Sequence, residues 1–243
     1  MQTKTNTYPA TLNTLVNLLT EHSATKQLTP KRIAELVAEA HVDVNDLMHY
    51  ADFDHPKEDC YGRKLVHDGG NFEVMVMSWR PRDYSSIHDH GYTEWGVVQV
   101  FGPVHHFIFN ERKGELNISA RQILKTREII KVNNPLIHQM GNATSEPYLT
   151  LHVYGSNSRD ADITADAKSY DLEYDRISHT QGGAFFDLPA EAIYDFQPAP
   201  KPTRETFLHY AHLLMDYYNR QDQTEEIKAK KVRLLKKLGA VMV

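Results

Sequence analysis

Ser85-Ser86-Ile87-His88-Asp89-His90 is the stretch that decides how this chain is read. On an extended backbone, residues i and i+2 point to the same face. His88 and His90 can therefore converge on one ion while Asp89 points away. Two histidines do not complete a metal site, so a third ligand must come from elsewhere. Asn133-Asn134-Pro135-Leu136-Ile137-His138 supplies one, a turn followed by a histidine entering a strand. His152, inside Tyr148–Tyr154, is a further candidate.

The surroundings of these motifs are β-rich. Asn71–Trp79 alternates with apolar residues on both faces, a strand period. Trp95–Phe101 and Val104–Phe109 are separated by the turn signal Gly102-Pro103. Asn117–Ile123, Glu128–Val132 and Tyr148–Tyr154 continue the pattern. Short strands at close spacing, punctuated by Gly, Pro and Asn, predict a sandwich or barrel. Ser169–Asp175 and Ala184–Leu188 read as one last hairpin around Gly182-Gly183, and Pro198, Pro200 and Pro202 as a spacer.

Both ends read as helical. Leu12, Leu15, Val16 and Leu19 form one helical stripe. A second helix starts at Thr29-Pro30, a cap followed by proline at the first helical position, with the stripe Ile33, Leu36, Val37 and Ala40. A short third helix is expected at Val44–Tyr50. After Thr203, Phe207, Tyr210, Ala211, Leu214 and Tyr218 make a further stripe. The basic end, Lys228 to Lys237, reads as a solvated helix face rather than a contact surface. The organisation expected is a helical segment over 1–58, a barrel over 59–195 and a helical extension over 196–243.

Composition narrows the function classes. The chain has 243 residues, 41% hydrophobic and 24% charged, an ordinary globular balance. Its net charge of −5 argues against a nucleic-acid partner. The single cysteine excludes an internal disulfide framework and any all-cysteine metal site. No apolar run approaches a membrane span, and Met1–Asn6 lacks the apolar core of a leader, so a cytoplasmic protein is expected. Oligomeric state is left open.

The motifs together resemble a known family. H-x-H, then Gly102, then Pro135-Leu136-Ile137-His138, resembles the cupin double-stranded β-helix, a mainly β jelly-roll barrel. Tyr61-Gly62-Arg63-Lys64-Leu65-Val66 resembles the Y-x-R-x-L-V segment of the cysteine dioxygenases. Ser78-Trp79 followed by Ser85–His90 resembles that family's W…S-S-I-H-D-H segment, and Leu149–Tyr154 its S-L-H-x-Y strand. The matches run over roughly residues 55–190, with the two ends outside or loosely inside.

The resemblance implies a non-haem Fe(II) held by His88, His90 and His138, and a small thiol plus O2 as reactants, foremost L-cysteine oxidised to its sulfinic acid. It implies Arg63 as the clamp on the substrate carboxylate and Tyr61 as a wall of that pocket. It implies Tyr154 over the iron site, oriented by His152 and Thr150, all three on one strand face. His152 is then a relay member and not a ligand.

The sequence departs from the family in two places. Animal members cross-link a cysteine to the pocket tyrosine; five residues after the second motif histidine stands Trp95, so the thioether cannot form, as in bacterial members. Glu94 fits the spacing of the glutamate that general cupins add, but counting back from Gly102 gives Trp95, which puts three histidines ahead of three histidines plus Glu94. Trp95-Gly96-Val97-Val98 also resembles the 3-mercaptopropionate dioxygenases, although those have glutamine at the position of Arg63. The readings left open are cysteine, 3-mercaptopropionate or another small thiol acid as substrate, and a metal-binding cupin that is not an oxygenase, such as an isomerase or ligand sensor.

Overall fold

Apolar residues spaced for a helix must find a surface to cover, and the first two helices do so on the back of a sheet. The computed structural model describes residues 8–25 and 27–242. Met1–Asn6, read above for a leader, lies outside the described residues. Helix α1 (Ala10–Thr25) buries Leu12, Leu15 and Leu19. Helix α2 (Pro30–Glu39) is capped by Thr29, whose side chain accepts from Arg32 N–H, and buries Ile33, Leu36 and Val37. Val44–Leu47 forms the short α3, continued by a 3₁₀ turn to Tyr50. Each fully buried aliphatic side chain contributes about 1.5–3 kcal/mol. No described helix is long and apolar enough to cross a membrane.

The strands are β1 (Gly62–Asp68), β2 (Phe72–Trp79), β3 (Trp95–Val100), β4 (Val104–Arg112), β5 (Glu115–Leu124), β6 (Ile129–Val132), β7 (Ile137–Gly141), β8 (Tyr148–Gly155), β9 (Ala167–Asp171), β10 (Arg176–Thr180), β11 (Ile193–Pro198) and β12 (Lys201–Pro202). One sheet runs β1-β2-β8-β3-β6. Its outer face carries Val74, Val76, Trp95, Val97, Leu149, Leu151 and Val153, packed with α1 and α2. Its inner face carries Met75, Met77, Trp79, Val98, Tyr148 and Tyr154. Burial on both faces explains why Phe72–Trp79 is apolar at almost every position.

Facing it is the order β12-β5-β4-β7, with β11-β10-β9 beside it. Helix α4 (Arg204–Arg220), capped by Thr203, sends Phe207, Tyr210, Leu214, Tyr217 and Tyr218 into the same core as the barrel interior. Helix α5 (Glu225–Met242) follows it. Two facing sheets with helices at both ends form the cupin double-stranded β-helix that the motifs led us to expect.

Three local expectations are corrected. Ser85–His90 is not a regular strand. It is an extended seam: His88 N–H donates to His138 O and His138 N–H to His88 O, both at 2.9 Å, while Asp89 N–H donates to Lys168 O at 3.0 Å on the other side. Its backbone is shared between β7 and β9, so neither side forms a continuous ladder. The last hairpin joins β9 to β10, turning through Asp175 at φ 55°, and Gly182-Gly183 lies beyond it. Ala184–Leu188 is irregular, and the third strand is β11. The proline spacer is part of a sheet, since Lys201 and Pro202 pair in parallel with Glu115 and Leu116.

The basic helix is also more than a solvated face. Lys230 Nζ donates to Asp187 at 2.7 Å, and Lys237 Nζ donates to Leu172 O at 2.7 Å. Lys237 ties α5 to the β9–β10 connection and Lys230 ties it to the irregular segment after β10, while Leu234 is buried beneath.

Candidate metal centre

The seam and β7 bring three imidazoles together. Ligand-capable nitrogens of His88, His90 and His138 lie within 4.8 Å of one another. The ring centroids are 4.6 Å apart for His88 and His138, and 4.7 Å for His90 and His138. Burial holds His88 down to about 4, and burial plus the neighbouring histidines hold His90 and His138 well below the ordinary range. All three are therefore neutral at physiological pH and offer lone pairs.

Both ring nitrogens of His90 and Nε2 of His138 are buried without a hydrogen-bond partner. Buried polar atoms in native proteins are rarely left unpaired, so this cluster fits a metal ion as its missing partner. The supporting contacts fit too. His88 Nδ1 lies 2.9 Å from the carbonyl of Ser86, which can only accept, so Nδ1 carries the proton and Nε2 is free.

A second chain of contacts runs along β8. Trp79 Nε1–H donates to Thr150 Oγ1 at 2.9 Å. Thr150 Oγ1 is 2.7 Å from His152 Nε2, and His152 Nδ1 is 2.7 Å from the Tyr154 hydroxyl. The Tyr154 ring lies 5.5 Å from that of His90, so this chain ends beside the three histidines. Burial lowers His152 to about 3 and raises the Tyr154 phenol well above its usual value. Trp79 was legible as a motif residue but not as a member of this chain, because only the register Met77↔Thr150 and Trp79↔Tyr148 brings it there.

Tyr61 is buried and stacked on Trp79 at 4.7 Å, and its hydroxyl accepts from Ala184 N–H at 3.2 Å. Arg63 stands opposite Met77 on β1. A Cβ on Gly182, which lines the chamber, would lie 3.3 Å from its Nη2. Glu73, passed over in the sequence, stands opposite Tyr154 and keeps a buried, unpartnered Oε2. Burial raises its carboxyl and Arg63 opposes that shift.

Glu94 is directed elsewhere. Its carboxylate accepts from Asn157 N–H at 2.7 Å and from the Ser158 hydroxyl. Trp95 faces the outer cluster, and its Nε1–H donates to Asn157 Oδ1 at 3.2 Å. The residue opposite Tyr154 on β3 is Gly96. The only cysteine, Cys60, is buried with Sγ accepting from Phe186 N–H at 3.2 Å.

His105 and His106 are adjacent on β4, so alternation turns one of them inward. His106 faces inward, 2% exposed, with Nε2 2.9 Å from His138 Nδ1.

The model of the family described as cysteine dioxygenase type I matches residues 1–159. It takes in the N-terminal helices, which the motifs had left outside, and stops before β9. Human cysteine dioxygenase type 1 is 25% identical over 152 residues, covering 60% of this chain and 74% of that protein. The zebrafish protein of the same name (Danio rerio) is 27% identical over 153 residues, covering 60% and 75%. Among solved structures, a double-stranded β-helix protein from Klebsiella pneumoniae aligns at 15% identity and TM-score 0.36, covering 49% of this chain and 90% of that one. TT1209 from Thermus thermophilus aligns at 16% and 0.37, covering 47% and 97%. With a family match over most of its length and three clustered imidazoles in its barrel, the chain belongs to the cysteine dioxygenase type I family and is a cupin thiol dioxygenase with a three-histidine metal-binding group.

Proposed function

We propose that this dioxygenase uses Fe(II), held by His88, His90 and His138, to oxidise L-cysteine with O2 to cysteine sulfinic acid. The observation that carries the reading is the placing of Tyr154, 5.5 Å from His90 between ring centroids, against a cluster of three neutral imidazoles in which His90 and Nε2 of His138 have no hydrogen-bond partner. Both atoms of O2 end on the substrate sulfur, so no external reductant is needed. Bound there, Fe(II) would supply a redox-active centre with positions open to thiolate and O2.

The chain's own residues bind, orient and hold protons. Trp79 can only donate, so the Thr150 hydroxyl accepts from it and has His152 Nε2 as the acceptor for its own proton. His152 then carries its proton on Nδ1 and donates to the Tyr154 oxygen. The Tyr154 O–H is left to donate into the chamber, and its raised pKa keeps it a donor rather than a phenolate. Arg63 binds the carboxylate of cysteine as a two-pronged donor, fixing orientation as well as charge. Tyr61, pushed up to about 12 by burial, forms the wall between Arg63 and Trp79. A reducing cytosol, which keeps a thiol substrate reduced, suits this chemistry.

The test is an oxygen electrode with Fe(II)-loaded protein and three thiols: L-cysteine, 3-mercaptopropionate and cysteamine. Fastest uptake is expected with L-cysteine, one O2 consumed per sulfinate formed. Faster uptake with 3-mercaptopropionate would reassign the substrate, and no uptake with any small thiol would overturn the reading.

A further inference from the structure

The contacts behind His138 can be satisfied in two ways, and only one of them leaves His138 able to bind a metal. His106 bridges β7 and β5: its Nε2 is 2.9 Å from His138 Nδ1, and its Nδ1 is 2.7 Å from the side-chain amide nitrogen of Gln122. Register explains the row. His106 stands directly opposite Gln122, and His138 stands opposite Ile108, one diagonal step from His106 on the same face. The two imidazoles meet edge to face, with planes at 89°.

A neutral imidazole has one donor and one acceptor, so a proton choice at one end propagates along the row. If Gln122 donates through its amide nitrogen, His106 accepts on Nδ1 and donates from Nε2. His138 then accepts on Nδ1 and carries its proton on Nε2, the nitrogen left free for the metal group, which has no lone pair in that state. If Gln122 turns its amide over and accepts on Oε1, every proton shifts to the other nitrogen. His106 donates from Nδ1, His138 donates from Nδ1, and Nε2 of His138 is free to coordinate. His88 has no such choice, because its partner is a peptide carbonyl. In the Tyr154 row, Thr150 Oγ1 accepts from Trp79 and has His152 Nε2 as the acceptor for its own proton.

We propose that His106 and Gln122 are positioning residues that decide which nitrogen of His138 carries the proton, and that presentation of the Gln122 carbonyl oxygen is a condition of metal binding. Gln122 lies at the exposed end of the row, so metal occupancy is coupled to the orientation of a side chain at the surface. The inference rests on the three-histidine metal site and is independent of which thiol is oxidised.

The test measures Fe(II) and Co(II) affinity of the full chain by competition with a chelator, together with the visible absorption of the Co(II) form. Gln122→Glu keeps only acceptors, Gln122→Met keeps only a weak thioether acceptor, and Ile123→Glu places the same charge on the adjacent residue, 61% exposed, outside the row. Gln122→Glu is expected to bind Co(II) about 10-fold or more tightly than Gln122→Met, with Ile123→Glu at the wild-type value. His106→Phe should weaken binding by about 10- to 100-fold and shift the Co(II) spectrum, and His106→Gln should recover part of both. Equal affinity of Gln122→Glu and Gln122→Met, or equal tightening by Ile123→Glu, would overturn the proposal; this surface pair decides it even if His106→Phe does not fold. If the wild type binds neither Fe(II) nor Co(II), the metal reading fails first and the proposal falls with it.

Discussion

Trp79 matters at the scale of single residues because an indole N–H has no acceptor capacity. It occupies one lone pair of Thr150, whose own proton then has His152 Nε2 as its acceptor, so that His152 Nδ1–H points to Tyr154. Tyr154→Phe removes the terminal donor and little volume. It is expected to lower kcat by about 100-fold, the size of a lost proton-holding group, while iron content stays near wild type. Arg63→Ala should raise KM for L-cysteine by about 30- to 100-fold, a bidentate charged pair, and change KM for cysteamine by less than about threefold. Equal effects on the two thiols would remove Arg63 from the clamp. Glu73 is close enough to Arg63 to offset its charge. Glu73→Gln should therefore lower KM for L-cysteine by about threefold, read from initial rates at low ionic strength. Arg63, Tyr61 and the histidines were legible because they sit in short ordered motifs. Glu73 was not, since a glutamate in an alternating strand looks like any solvent-facing polar residue.

At the scale of elements, the controlling fact is alternation on strands whose two faces are both buried. Leu149, Leu151 and Val153 of β8 pack outward under the helices, while His152 and Tyr154 face the chamber with Thr150 behind them on the same strand face. The same alternation on β3 turns Trp95 outward and sets Gly96 against Tyr154, where a Cβ would stand 3.0 Å from Tyr154 Cδ1. The seam depends on a backbone that only glycine adopts easily. Gly91 follows His90 directly at φ +55°, and a Cβ there would stand 2.0 Å from Ala165 O. Gly91→Ala should cost roughly 1–3 kcal/mol and displace His90, lowering both the thermal midpoint and the metal content. The helical stripes and the strands β2 to β6 and β8 were readable because their periodicity is local. The seam and the β9–β10 hairpin were not, because each is held by partners far away in sequence, and Gly182-Gly183 is a stronger turn signal than Asp175.

The whole molecule depends on its ends. Phe207, Tyr210, Leu214, Tyr217 and Tyr218 of α4 share the barrel core, and at about 1.5–3 kcal/mol each their burial is comparable to the whole net stability of a domain. Removing 204–243 should therefore abolish the cooperative thermal transition, followed by circular dichroism. Stability should also fall with pH. Burial holds His88, His106 and His209 down to about 4 and His152 to about 3 in the folded state. The unfolded chain takes up these protons first, near 6.5. Their contribution is complete above pH 6.5 and is lost as pH falls toward 4, at roughly 1 kcal/mol per pH unit for each histidine. Urea unfolding of the metal-free protein at pH 7.5, 6.5 and 5.5 checks the sign. By itself the sequence determined the helices, most strands and the motif set, for those are written in spacing along the chain. Only the tertiary structure decided that His106 stands behind His138, and that Glu94 and Trp95 turn away from the chamber. The reason is physical: where both faces of a sheet are buried, alternation separates the two faces but does not say which is inside. That is settled by strand register and by the helices that cover one face.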